Sequence, residues 1–304
     1  MTAPAAPFGR VLTAMVTAFH DDGSLDLDGT VRVAAYLADH GHDGILVSGT
    51  TGESPTTSTR EQGLLLHAVV EAVGDRLSVV AGVGTNDTAH SIELTEQATK
   101  LGAAGVLLVT PYYSKPSQPG VLHHFTEVAR ATDLPVMLYD VPGRTGTGIA
   151  MDTYRRAAEL DNIVAVKEAA GDFARGSRLI DEAGLAIYSG DDVANLAWLA
   201  HGASGIVSVV GHLAGDAYAD MVGAFLEGRA GDALAIYTRL IPAVDAVMGV
   251  ANYGATTAKA ALELSGVLTN RFVRPPLLPL DDDEVAALHD GLATAGLLPP
   301  RGTQ

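Results

Sequence analysis

Asn162-Ile163-Val164-Ala165-Val166-Lys167-Glu168 is a short apolar run that ends abruptly in a lysine and a glutamate. A β-branched run of this length fits a strand buried on both faces, as in a parallel sheet. Side chains at the C-terminal end of such a strand emerge where α/β barrels build their active sites. Lys167 is thereby a candidate nucleophile. A lysine at a strand end is more ordinarily a surface residue with its stem laid on apolar neighbours, so the rest of the chain has to decide between the two.

On both sides of this run, short apolar stretches alternate with amphipathic ones at intervals of about 25 to 30 residues, the spacing of βα units. Strands are expected at 12–17, 44–47, 78–81, 105–109, 135–139, 163–166, 185–188 and 205–209. Helical patterns fill 28–39, 59–73, 88–101, 120–131, 152–159, 173–182, 192–201 and 215–227. Eight alternating units predict a closed (β/α)8 TIM barrel of the α/β class over an open sheet. Gly41, Gly74, Gly102, Gly184 and Gly202 each follow a helical pattern where a left-handed cap is wanted. After Glu227 the strand rhythm stops and helical patterns remain at 232–247, 256–265 and 283–295. The expected organisation is a catalytic barrel over 1–227 and a small C-terminal helical appendix over 228–304.

Composition removes several function classes. The 304 residues are 47% hydrophobic and 18% charged, which suits a large α/β domain and argues against disorder. Nineteen basic against thirty-six acidic residues give a net charge of −17, which repels phosphate backbones and anionic membranes. Neither nucleic acid nor a membrane is an expected partner. Without cysteine there is no thiol catalysis, disulfide or thiolate metal site. Residues 1–10 lack a basic segment followed by an apolar core, and no apolar run approaches the roughly 18 residues of a membrane span. The expectation is a soluble cytoplasmic protein. The acidic run from Asp281 to Glu284 reads as the negative start of a final helix. His123, His124 and Glu127 read as a solvated helix face rather than a ligand set, so no metal is expected.

In a barrel the residues just after each strand converge. After the second strand comes Ser48-Gly49-Thr50-Thr51-Gly52-Glu53-Ser54, a glycine-rich turn with paired hydroxyls whose amides could hold a carboxylate. Thr110-Pro111-Tyr112-Tyr113 follows the fourth, Tyr139-Asp140-Val141-Pro142-Gly143-Arg144 ends the fifth, and Ser189-Gly190-Asp191-Asp192 follows the seventh. Singly these are turn glycines, capping tyrosines and an arginine that pairs with a nearby acid. Together with Lys167 they supply an amine nucleophile, hydroxyls for proton transfer and an arginine for a carboxylate. The set suggests Schiff-base chemistry on a small keto acid.

The order Gly-Thr-Thr-Gly-Glu, Pro-Tyr-Tyr, Tyr-Asp-Val-Pro-Gly-Arg and Val-Lys-Glu-Ala closely resembles the dihydrodipicolinate synthase family of pyruvate-dependent aldolases. The resemblance runs from about Gly9 to the final helix. It implies that Lys167 forms a Schiff base with pyruvate, so no external cofactor is needed, and that Tyr139 donates and accepts the proton. Thr50 and Tyr113 would complete a hydroxyl relay, Tyr113 reaching in from a neighbouring subunit of a homotetramer. Thr51 would bind the pyruvate carboxylate, with Val207 and Gly190 near the keto acid. Arg144 would take the carboxylate of the second substrate, aspartate semialdehyde. The product would feed diaminopimelate and lysine synthesis.

Free lysine ionises at about 10.4, and lowering that by ~3 units is within what a desolvated site imposes. Some positions depart from the family pattern. Ala18 stands where a proline is common. Thr59, Gln62 and His90 occupy positions that lysine-inhibited members fill with two histidines and a glutamate, leaving mainly Ser54, Asn86 and Tyr112 of that set. Insensitivity to lysine is therefore expected. One rival is a sister aldolase acting on a sugar-derived 2-keto acid, which Arg144 after Val-Pro-Gly disfavours. Another is a non-catalytic keto-acid-binding barrel, against which Lys167, Tyr139, Thr50 and Tyr113 stand intact.

Overall fold

The strand that ends in Lys167 pairs with its two neighbours in parallel, and continuing that pairing around the sheet closes it on itself. In the computed structural model, which describes residues 5–251 and 253–302, the strands are β1 (Val11–Ala14), β2 (Gly44–Val47), β3 (Ser78–Gly82), β4 (Gly105–Val109), β5 (Val136–Asp140), β6 (Ile163–Glu168), β7 (Ala186–Ser189) and β8 (Gly205–Ser208). They run in sequence order round a closed barrel. The helices between them are α1 (Leu27–Asp39), α2 (Thr59–Val73), α3 (Thr88–Lys100), α4 (Gln118–Arg130), the short α5 (Pro142–Thr145), α6 (Met151–Ala157), α7 (Phe173–Ala183) and α8 (Asn195–Ala200). After β8 follow α9 (Gly211–Leu226), α10 (Ala230–Met248), α11 (Ala255–Leu264) and α12 (Asp282–Thr294). Residues 1–4, in the expected barrel segment, and 252 and 303–304, in the expected appendix, lie outside the described residues.

Side-chain alternation divides the apolar residues into three cores. Leu12, Leu46, Val80, Leu107, Met137, Ala165, Tyr188 and Val207 fill the barrel interior. The other face of each strand packs on the helical ring through residues such as Ile45, Val79, Val106, Leu138, Val166 and Ile187. A third core joins α9 to α10 and α12 through Met221, Leu240, Val244, Leu288 and Leu292. Strands buried on both faces read as unbroken apolar runs, which is why the sequence pattern finds all eight.

One irregularity decides the face that Lys167 takes. Val136 pairs with Ile163 but Met137 pairs with Ala165, so Val164 is an extra residue in β6. Paired residues in adjacent strands share a face, and a one-residue shift moves every later side chain to the other one. The bulge therefore sets Lys167 opposite Tyr139, facing inward, and Glu168 opposite Asp140, facing the helices.

Gly41, Gly102, Gly184 and Gly202 are left-handed as expected, with φ of +71°, +80°, +66° and +92°. Gly74 is not: its φ is −66°, and its amide donates to the Val70 carbonyl at 2.9 Å. It extends α2 by a right-handed turn. The first strand also stops early, at Ala14. Beyond it the amides of Met15 and Val16 bond instead to the Leu46 carbonyl (2.9 Å) and to Nε2 of His212 (3.1 Å). His124 is a further correction, being buried rather than solvated, with Nδ1 2.9 Å from the Thr88 hydroxyl. Burial pulls its imidazole down to about 4. Asp281 and Glu284 form the expected helix start, a reciprocal capping box at the N-terminus of α12.

Candidate active site

The inward ends of β5 and β6 put Tyr139 and Lys167 together at the barrel mouth. Lys167 is 6% exposed, and its Nζ lies 4.5 Å from the centroid of the Tyr139 ring. Removal from water disfavours the ammonium. Burial, aided by the Arg144 cation and opposed by Asp192, pulls Lys167 down to about 8. Burial acts oppositely on the phenol and pushes Tyr139 up to about 12, so it stays protonated near neutrality.

These residues line a cavity of about 180 Å³ whose walls include Thr50, Thr51, Arg144 and Gly190. Gly190 is required by packing, because a Cβ there would meet the Cγ and Cε of Lys167 at 3.0 and 3.1 Å and the Glu168 carbonyl at 3.0 Å. Val207 lies in the interior core, while Val209, just after β8, lines the cavity. Thr50 also lines a wider cleft of about 1180 Å³ next door, with Ser54, Tyr112, Tyr113 and Arg144. Tyr113 itself is 89% exposed and does not line the Lys167 cavity. Its φ is +71°, a conformation uncommon for a bulky side chain.

Three polar networks hold the cavity walls. Outside the barrel, Arg175 Nη2 bridges Asp140 (3.0 Å) and Glu168 (2.9 Å), and the Tyr154 hydroxyl donates to Asp140 at 3.0 Å. This clamps the ends of β5 and β6 next to their reactive side chains. Asp192 is buried and accepts from Ser208 Oγ (2.5 Å), the amides of Val209 (2.8 Å) and Val210 (3.1 Å), Asn195 (3.1 Å) and Tyr218 (3.0 Å), tying the loops after β7 and β8. Glu53, left-handed at φ +57°, closes the threonine turn. It accepts from Lys259 Nζ at 2.5 Å and the Arg274 amide at 2.8 Å. Burial pulls the Lys259 ammonium down to about 8, with the Glu53 carboxylate resisting the fall.

Arg144 sits on α5, whose four residues Pro142–Thr145 are capped by left-handed Gly146. Contrary to the simple expectation for an arginine, no acid pairs with its guanidinium among the described residues; it lies 4.9 Å from the centroid of the Tyr253 ring. Ser54 and Tyr112 line the wider cleft. Nearby, Nε2 of His90 is 3.0 Å from the Thr59 hydroxyl, and the Gln62 amide turns inward to the carbonyls of Ser54 (3.2 Å) and Thr57 (3.3 Å). No group of three His, Cys, Asp or Glu side chains among the described residues is arranged to hold a metal ion.

Residues 7–295 match the family model described as "Dihydrodipicolinate synthetase family". The chain belongs to the dihydrodipicolinate synthase family. A 4-hydroxy-tetrahydrodipicolinate synthase of Kineococcus radiotolerans is 57% identical, covering 97% of this chain and 96% of its own. Among solved structures, the enzyme of Cyanidioschyzon merolae with lysine bound superposes with a TM-score of 0.93 at 39% identity, covering 97% of this chain and all of that one. The chloride-inhibited enzyme of Acinetobacter baumannii, complexed with pyruvate, superposes at 0.91 and 34% identity over 96% of this chain and all of that one. The family closes its barrel as this chain does, with the helical C-terminus included in the match.

The motifs thus lead to most of the cavity wall, while Tyr253, Val209, Lys259 and the bulge at Val164 escape them. Lys259 left one signal in the sequence. It is the one basic residue in the mostly apolar stretch Ala255–Leu264, whose other charge is Glu263, and a buried charge demands a partner.

Proposed function

We propose that this chain is a 4-hydroxy-tetrahydrodipicolinate synthase, a lyase that condenses pyruvate with L-aspartate 4-semialdehyde in the diaminopimelate route to lysine. The observation that carries it is the desolvated amine of Lys167, 4.5 Å from the Tyr139 ring, in a cavity that Arg144 also lines. Holding the amine at about 8 rather than its ordinary 10.5 costs on the order of 3 kcal/mol and leaves an appreciable neutral fraction at neutral pH.

The neutral Lys167 amine attacks the C2 carbonyl of pyruvate, and loss of water gives the imine. A methyl proton then leaves to form an enamine, whose carbon attacks the aldehyde carbon of the semialdehyde. The semialdehyde's own amine displaces Lys167, closes a six-membered ring and frees the enzyme. Tyr139, protonated because its phenol ionises near 12, donates and re-accepts the proton, since its hydroxyl does both. Thr50 connects it to the wider cleft. Thr51, which lines the cavity, takes the pyruvate carboxylate with Gly190 beside it. Arg144 takes the second carboxylate. Val207, in the barrel interior, and Val209, in the cavity wall, lie near the keto acid.

The proposal includes a homotetramer in which Tyr113 of one copy completes the site of another. Its 89% exposure and left-handed φ support this, because non-glycine residues held in that region cluster at functional sites. It also includes a barrel over 1–227 with an appendix over 228–304, no external cofactor and a cytoplasmic location. No helix among the described residues is long and apolar enough to cross a membrane. The assay that tests the function supplies pyruvate with aspartate semialdehyde, coupled to the next reductase, against pyruvate with sugar aldehydes. Turnover with the semialdehyde alone is expected; preference for a sugar aldehyde would assign the chain to a sister activity.

A further inference from the structure

Part of the cavity wall comes from outside the barrel. Tyr253, in the connection between α10 and α11, lines it together with Gly254 and Ala255. The Tyr253 ring, 36% exposed, faces the Arg144 guanidinium at 4.9 Å. Arg144 stands on a four-residue helix and is exposed, so without support its long side chain samples many rotamers. Ordering it when substrate arrives would subtract from affinity. An acidic partner would order it too, but would occupy its N–H donors and cancel its charge. An aromatic face attracts the cation with no oxygen acceptor competing for those donors.

We propose that Tyr253 is the positioning residue for Arg144, holding its guanidinium at the cavity so that its fork meets the carboxylate of the aldehyde substrate. This assigns the C-terminal helical segment a part in selecting the second substrate, an aldehyde that carries a carboxylate. It rests on the assignment of Arg144 to that carboxylate. The pyruvate step depends on Lys167, Tyr139 and the threonine turn and does not pass through Tyr253.

The test is steady-state kinetics of the full-length enzyme with both substrates varied, for Tyr253→Ala, Tyr253→Phe, Arg144→Ala and the Tyr253→Ala/Arg144→Ala pair. Tyr253→Ala is expected to raise KM for aspartate semialdehyde about five- to tenfold, leaving kcat and the pyruvate KM within about twofold. Tyr253→Phe, which keeps the ring, should match the unmodified enzyme. In the Arg144→Ala background, loss of Tyr253 should add nothing. Equal damage to both substrates, a Phe variant as poor as the Ala one, or full additivity with Arg144→Ala overturns the proposal. An Arg144→Ala enzyme with an unchanged semialdehyde KM overturns it as well, and that single variant identifies the Arg144 assignment as the part that failed.

Discussion

Lys167 and Tyr139 face each other with their ionisations displaced in opposite directions, to about 8 and about 12, because the same dry cavity disfavours the charged form of each. The pair is thereby a neutral amine and a neutral phenol over a wide range, which suits imine chemistry. The attacking form of Lys167 is the deprotonated one, so kcat/KM for pyruvate should climb about tenfold per pH unit below pH ~8 and level off above it. Arg144 is a like charge that helps lower Lys167; removing it favours the ammonium. Arg144→Ala should therefore move the acid limb to higher pH, and a pH–rate profile of the two enzymes would show it. A limb that stays put or moves to lower pH contradicts the electrostatic account. At this scale the sequence was most legible where a residue interrupts an apolar run, as Lys167 does. It was least legible where a residue acts across the fold, as Tyr253 does on Arg144.

At the scale of elements, eight strands and their helices were readable because burial on both faces leaves unbroken apolar runs, and α2 matches its expected bounds at both ends. The bulge at Val164 was invisible, since an extra valine in a run of valine, isoleucine and alanine changes no periodicity while it reverses the face of Lys167. The four residues of α5 are likewise too few to show a period. The threonine turn depends on a pairing that no local pattern carries, that of Glu53 with Lys259 in α11, each 1% exposed at its side chain. Breaking a buried pair leaves an uncompensated charge, at about 3 to 5 kcal/mol. Lys259→Met should lower unfolding stability by about that much, and Glu53→Gln with Lys259→Met should recover part of it, read from urea midpoints. Loss under about 1 kcal/mol in Lys259→Met would mean that the turn is held by other contacts.

Across the whole molecule, the barrel mouth is completed by segments that follow the last strand, through Tyr253 in its wall and Lys259 behind the threonine turn. The wider cleft beside it carries the regulatory expectation. A lysine effector brings two cations and needs accepting or anionic groups. Here His90 bonds to Thr59, and Gln62 spends its amide on the carbonyls of Ser54 and Thr57, so neither replaces a carboxylate. Initial rates should be unchanged by lysine up to about 1 mM, an affinity near 4 kcal/mol, and His90→Glu should increase sensitivity. Clear inhibition of the unmodified enzyme below that concentration would show another acid doing the work. The central claim is the covalent bond between Lys167 and pyruvate. Borohydride reduction of the enzyme with pyruvate, followed by peptide mass spectrometry, tests it most directly. A single adduct on the peptide that carries Lys167 is the expected result; an adduct on another lysine, or none, would contradict it.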